Sequence, residues 1–189
     1  LQRNPLNLVL LCVIYEDHKG KLPSRTELYR VIVLCHWRRF CAESNVVASK
    51  QDEDSETQFE RDILFLGELA WNCLLNDQHS FSEKELKVLE KKKGELVPRR
   101  LGFVCKKELK VWKPEHKYCF LYNSFQTFLA ASYVAYELRT KKLNAFEHLH
   151  FNTVVRKFSE VFLFVCGILR KEASILFTQI GEKLKSDWD

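Results

Sequence analysis

The sequence contains no methionine and no apolar run long enough to cross a membrane. Its longest apolar run, Val161 to Leu169, is interrupted by Gly167 and falls far short of the ~20 residues of a spanning helix. The apolar stretch after Leu1 lacks the basic lead-in and small-residue cleavage site of a secretory leader. No repeat or low-complexity segment is visible. A chain that opens at Leu1 directly on an apolar helical pattern, with no methionine anywhere, is expected to be a fragment of a longer protein.

A disulfide framework is also missing. The seven cysteines are odd in number and scattered, at Cys12, Cys35, Cys41, Cys73, Cys105, Cys119 and Cys166. Most lie in apolar helical patterns, where a free thiol acts as a small hydrophobe. A secreted, loop-rich scaffold carries an even count. Reduced thiols and a cytoplasmic setting are therefore expected.

What is present is an ordinary globular composition, 46% hydrophobic and 29% charged, enough for one large domain or two small ones. The net charge of +5 is unevenly placed. Lys84 to Lys117 carry twelve Lys or Arg against five Glu, a local +7 that leaves −2 for the rest. That concentration can form a basic face.

Helix signals dominate. Asn4-Pro5 suits a helix start, with Asn at the cap and Pro at the first helical position, whose N–H is free anyway. That helix runs to about Asp17 and is apolar nearly all round. Ser24-Arg-Thr-Glu27 has the form of a capping box and leads a second helix, Leu28 to about Glu43. Residues 44–57 are polar and acidic and read as a linker or mobile loop. A third helix follows over about Glu56 to Leu75. Ser82-Glu-Lys-Glu85 is a second capping box, leading a short amphipathic helix through Leu86 and Leu89 to Gly94.

Leu101 to Cys105 and Lys117 to Tyr122 are rich in β-branched and aromatic residues. A polar turn with Pro114 separates them, which predicts a β-hairpin. The second strand runs straight into a helix, 124 to about 139, with Asn123 or Ser124 at its cap. Phe125, Phe128, Leu129, Ser132, Tyr133 and Tyr136 give that helix one aromatic-rich stripe. Phe151 to about Arg170 and Ala173 to about Lys185 read as two further amphipathic helices. The fold class expected is mainly α: helical bundle segments flanking a winged-helix domain with one small β-hairpin.

Phe120-Leu-Tyr-Asn-Ser-Phe-Gln-Thr-Phe-Leu-Ala-Ala131 resembles the signature that closes the winged helix of NACHT-type NOD-like receptors. In words that signature is Phe-x-His-x-Ser-Phe-Gln-Glu-Phe-Leu-Ala-Ala. Tyr122 stands where the family has His, and Thr127 where it often has Glu. Asn4 to Cys12 and Leu22 to Tyr29 look like the end of the family's first helical domain. Leu66-Gly-Glu-Leu-Ala-Trp-Asn-Cys-Leu74 and Phe81-Ser-Glu-Lys-Glu-Leu86 look like the start of its winged helix. Phe158 to Leu169 is similar to the start of its second helical domain. The resemblance implies domains at 1–45, 46–140 and 141–189.

The implied parent is a signal-transduction ATPase of innate immunity. It would have a nucleotide-binding domain upstream, leucine-rich repeats downstream, and self-oligomerisation on activation. The phosphate loop Gly-x-x-x-x-Gly-Lys-Ser/Thr is absent from this chain. The segment is therefore expected not to be an enzyme by itself. ADP or ATP belongs to the parent, and tight binding to this chain alone is not expected.

The resemblance carries over two residues. Pro5 matches a proline that packs on the adenine, and it also reads simply as a helix-start proline. Tyr122 matches the histidine that touches the β-phosphate of ADP in the inactive form. A Tyr hydroxyl is a donor but carries no positive charge. An aromatic packed at a strand end is the other reading of Tyr122. No catalytic or metal site is expected: His148 and His150 do not share a helix face, and Cys35, His36 and Cys41 lack zinc spacing. Trp37, Trp71 and Trp112 read as packing residues.

A winged helix with a basic stretch is also how many nucleic-acid-binding domains look. Lys84, Lys87, Lys106 and Lys107 are among the residues that would face a duplex. Few Asn, Gln or Arg residues in the preceding helix are placed to read base edges, so a nucleic-acid partner is the alternative reading.

Overall fold

In a computed structural model the described residues are 12, 15, 23–43, 52–78, 80–87, 102–108, 116–140, 146 and 149–186. Backbone contacts divide the chain into two units, Leu1–Val47 and Ala48–Asp189. The first unit contributes helix α1, Arg25–Glu43. The Ser24 hydroxyl accepts the Glu27 N–H at 3.2 Å, and the Ser24 carbonyl accepts from Leu28 at 2.9 Å, so the expected cap forms. Leu28, Tyr29, Ile32 and Val33 are buried along one side of this helix.

The second unit begins with helix α2, Asp52–Leu75. The linker expected over 44–57 therefore ends earlier: Asp52 to Thr57 are helical, and 44–51 lie outside the described residues. Asp52-Glu-Asp54 reads as a polar break in sequence. The same three acids suit the first turn of a helix, whose partial positive charge favours carboxylates.

Helix α2 ends in a left-handed cap. Asp77 has φ 53, the Gln78 N–H reaches the Cys73 carbonyl at 2.8 Å, and the Asp77 N–H reaches Leu74 at 3.4 Å. This is the two-bond pattern that usually uses Gly, and Asp tolerates it better than most residues. Lys157 Nζ lies 2.8 Å from the Asp77 carboxylate and donates to the Leu75 carbonyl at 3.3 Å, placing a cation at the helix C-terminus.

Strand β1, Phe81–Ser82, follows. The second capping box closes in both directions: Ser82 N–H donates to the Glu85 carboxylate at 2.6 Å, and Glu85 N–H donates to the Ser82 hydroxyl at 3.2 Å. Residues 83–87 are helical behind it, with Leu86 buried. Strand β2 is Val104–Glu108 and strand β3 is His116–Phe120, antiparallel, with Val104 opposite Phe120. The hairpin is shifted from its expected bounds because Gly102 has φ 73, a turn that delays the first strand to Val104. The pairing expected as a hairpin is a three-stranded sheet in the order β1-β3-β2. Phe81 opposes Tyr118, and their rings stack at 6.1 Å.

Helix α3, Asn123–Thr140, leaves β3 after two residues. It packs against α2 on one side and against helix α5, Ser159–Leu169, on another. Phe128 meets Phe164 edge-on at 5.4 Å across the second interface. Two covered sides explain why burial is wider than a single stripe. Ala130, Ala131, Val134, Ala135 and Leu138 are buried with Phe125, Phe128 and Leu129, while Tyr136 is exposed.

The first tail helix is expected to run unbroken from Phe151 to Arg170. It divides at Phe158 into α4, Phe151–Lys157, and α5. Phe158 leaves helical geometry at φ −108, ψ 14, and its buried ring packs on Trp71 at 5.1 Å. A 3₁₀ turn, Arg170–Ala173, leads to helix α6, Ser174–Ser186. Arg139 ties α3 to this corner through Glu172 at 2.6 Å and the Ile168 carbonyl at 3.3 Å. No helix among the described residues is long and apolar enough to cross a membrane.

Candidate functional site

Tyr122 sits at the junction of β3 and α3. Its carbonyl accepts from the N–H of Phe125 at 3.0 Å and of Gln126 at 3.2 Å. Tyr122 itself therefore occupies the cap position, one residue ahead of the expected Asn123 or Ser124. Thr127 Oγ1 donates back to the Asn123 carbonyl at 2.9 Å. The backbone before Tyr122 is fixed by the Leu121 N–H, which donates to the Phe103 carbonyl at 2.9 Å and ties the junction to the chain entering β2.

The Tyr122 ring is half-buried and leans on Phe125, with centroids 5.9 Å apart. Phe125 in turn packs on Phe103 at 5.5 Å. The junction thus places a phenol at the start of an 18-residue helix, where free N–H groups and the helix dipole favour a negative ligand. A hydroxyl there can donate to a phosphate oxygen. Pro5, the other expected nucleotide contact, lies outside the described residues.

Sequence reasoning treats Gln126 only as a letter of the signature. In the structure it is 2% exposed, and its amide Nε2 has no hydrogen-bond partner among the described residues. The single aromatic stripe gave no signal for it: Gln126 is buried because α2 and α5 cover both sides of α3. Asp62 on α2 and Glu137 on α3 are also buried.

Of the basic stretch, Lys84, Lys87, Lys106 and Lys107 are exposed. Lys87 pairs with Glu83 at 3.4 Å, one helical turn away. Lys107 lies directly opposite Lys117 on the hairpin. Lys91 to Arg100, with Lys110 and Lys113, lie outside the described residues.

Trp71 is a core residue, in contact with Phe146 at 5.6 Å as well as Phe158. Trp112 and His148 lie outside the described residues, and His150 is an exposed residue at the start of α4.

Comparison of the sequence with protein-family models and with curated proteins gives no match.

Proposed function

We propose that the chain is the regulatory winged-helix and helical module of a NACHT-type NOD-like receptor. In this reading it helps to hold ADP in a closed state and rearranges on activation to allow oligomerisation. The observation that carries the reading is the junction at Tyr122. The signature residues run from a sheet strand into a buried helix, and the residue in the histidine position lies at the helix N-terminus.

The order of elements supports it too. Helix, short strand, helix and hairpin, with the short strand paired to the second hairpin strand, is the arrangement of a winged helix. The wedge of α3 between α2 and α5 would couple any movement at the nucleotide to the tail helices.

Bound ADP supplies a diphosphate anion. Tyr122 would donate a hydrogen bond to it, and the start of α3 would contribute its partial positive charge. A neutral donor of this kind is worth about 0.5–1.5 kcal/mol. Such a contact biases the switch only if it is made in the closed state and lost in the open one. Most of the affinity would come from the upstream nucleotide-binding domain, with the leucine-rich repeats following this segment.

Calorimetry on the chain alone should detect only feeble ADP binding, and turnover assays should detect no ATP hydrolysis. Micromolar ADP affinity without an upstream domain contradicts the proposal. Duplex DNA titrated in parallel separates the alternative: salt-sensitive binding that tracks Lys106, Lys107 and Lys117 would favour a nucleic-acid module.

A further inference from the structure

The hairpin carries a thiol pair that the nucleotide reading does not use. Strands β2 and β3 set Cys105 directly opposite Cys119. Opposed residues of an antiparallel ladder have Cα atoms about 4.5 or 5.5 Å apart, and both values lie within the ~4.4–6.8 Å that a disulfide spans. The two sulfurs are 3.1 Å apart. Each also approaches the other's carbonyl oxygen, at 3.5 Å from Cys105 and 3.9 Å from Cys119.

The alternation of the strands decides access. Tyr118 and Phe120 are buried on the core face. Cys105 and Cys119 therefore share the outer face, where both are half-buried. Lys107 and Lys117 face each other two residues along the same side. Lys107 favours the Cys119 thiolate, against the stronger effect of burial, which pushes that thiol up. Cys73 is buried in α2, Cys166 lies in α5, and Cys12 and Cys35 are exposed on helices.

The geometry points to Cys105 and Cys119 as a redox modification site, a dithiol that a low-molecular-weight disulfide such as glutathione disulfide converts to a cross-strand disulfide. The thiolate of one cysteine attacks a sulfur of the oxidant, whose S–S bond breaks and releases one small thiol. The thiolate of the other cysteine then attacks the mixed disulfide, forms the Sγ–Sγ bond and releases the second small thiol. The two protons lost by the protein end on the two released thiols, and the two electrons reduce the oxidant. The product fastens β2 to β3 in their present register.

The test uses the whole chain, equilibrated in glutathione buffers of graded oxidised-to-reduced ratio. The samples are quenched with acid, alkylated and digested for mass spectrometry. The expected result is a linked peptide pair containing Cys105 and Cys119, two hydrogens lighter than the free peptides. It should accumulate with oxidant and vanish with dithiothreitol. The oxidised protein should melt higher than the reduced one, because the cross-link restricts the unfolded chain.

Cys105→Ser and Cys119→Ser should each abolish the linked peptide and the oxidant-dependent rise in melting temperature. If either variant fails to fold, the wild-type peptide map alone decides. The inference is overturned if both cysteines stay fully alkylated at every ratio. It is equally overturned if they are recovered only as glutathione adducts or linked to other cysteines.

Discussion

Gly67 lies against the backbone of Leu129: a Cβ added at Gly67 would meet the Leu129 carbonyl oxygen at 2.5 Å and the Tyr133 Cβ at 2.8 Å. The close approach of α2 and α3 is built on that missing side chain. Neither obstacle is the free end of a flexible chain, so the helices must separate to admit a methyl group. Gly67→Ala should destabilise the protein by about 1–3 kcal/mol, the usual cost of overpacking. Gly181 on α6 has nothing within 4 Å of such a Cβ. Gly181→Ala should therefore stabilise by roughly 0.4–1 kcal/mol, since helical Gly costs backbone entropy. Urea unfolding of the two variants checks both signs.

The buried amide of Gln126 gives the second prediction. A buried N–H group without a partner costs about 1–3 kcal/mol relative to water. Gln126→Met keeps the length of the side chain and removes the donor. It should be neutral or stabilising in thermal unfolding. A large loss of stability would show that the amide is paired after all.

Cys73 gives the third. Burial, assisted by the negative charge of Glu85, pushes its thiol up to about 11 from an ordinary 9.0. Between those values the native state keeps a proton that the unfolded chain gives up. The stabilising contribution is complete below pH 9 and is lost as pH rises toward 11, at about 1.4 kcal/mol per unit. Cys73→Ala lacks that loss, so the stability gap between wild type and variant should narrow across the window. In native protein at neutral pH, iodoacetamide should label Cys12 and Cys35 well before Cys73.

The periodic helices were legible in the sequence because capping chemistry is local. Ser24 and Ser82 announce their helices within three residues, and both caps form. Asp52 to Asp54 look like a loop by composition yet open a helix, whose first turn suits acids. The other misread segments depend on partners distant in the chain. The break at Phe158 follows from a ring that packs on Trp71, more than eighty positions earlier. Phe81–Ser82 is too short to read as a strand until Tyr118 lies beside it.

The site shows the same division. Tyr122 could be singled out from its place in the signature, and the strand-to-helix junction could be foreseen. The burial of Gln126 could not, because a single amphipathic stripe leaves one side of α3 to solvent, whereas α2 and α5 cover both. The cysteine pair was hidden for another reason. Cys105 and Cys119 look scattered until the register of β2 and β3 sets them opposite each other.

Tyr122 gives the fourth prediction, tested in the full-length protein in the presence of ADP. Tyr122→Phe keeps the ring and removes only the hydroxyl donor. It should raise basal oligomerisation by no more than roughly tenfold, since about 1.4 kcal/mol is one decade. Tyr122→His places an imidazole at the same helix start, where protonation adds a charge-assisted hydrogen bond to phosphate.

Protonation of that imidazole increases below about pH 6.5, so the His variant should become quieter there, while wild type and the Phe variant hardly change. The deciding measurement is basal oligomerisation of wild type, Tyr122→Phe and Tyr122→His in ADP at pH 6.0 and pH 7.5, read by light scattering. The account predicts the order Phe above wild type above His, with the His variant lowest at the acidic value. Identical behaviour of the His and Phe variants at both pH values would contradict it, and Tyr122 would then be an aromatic packed on Phe125 with no part in holding nucleotide.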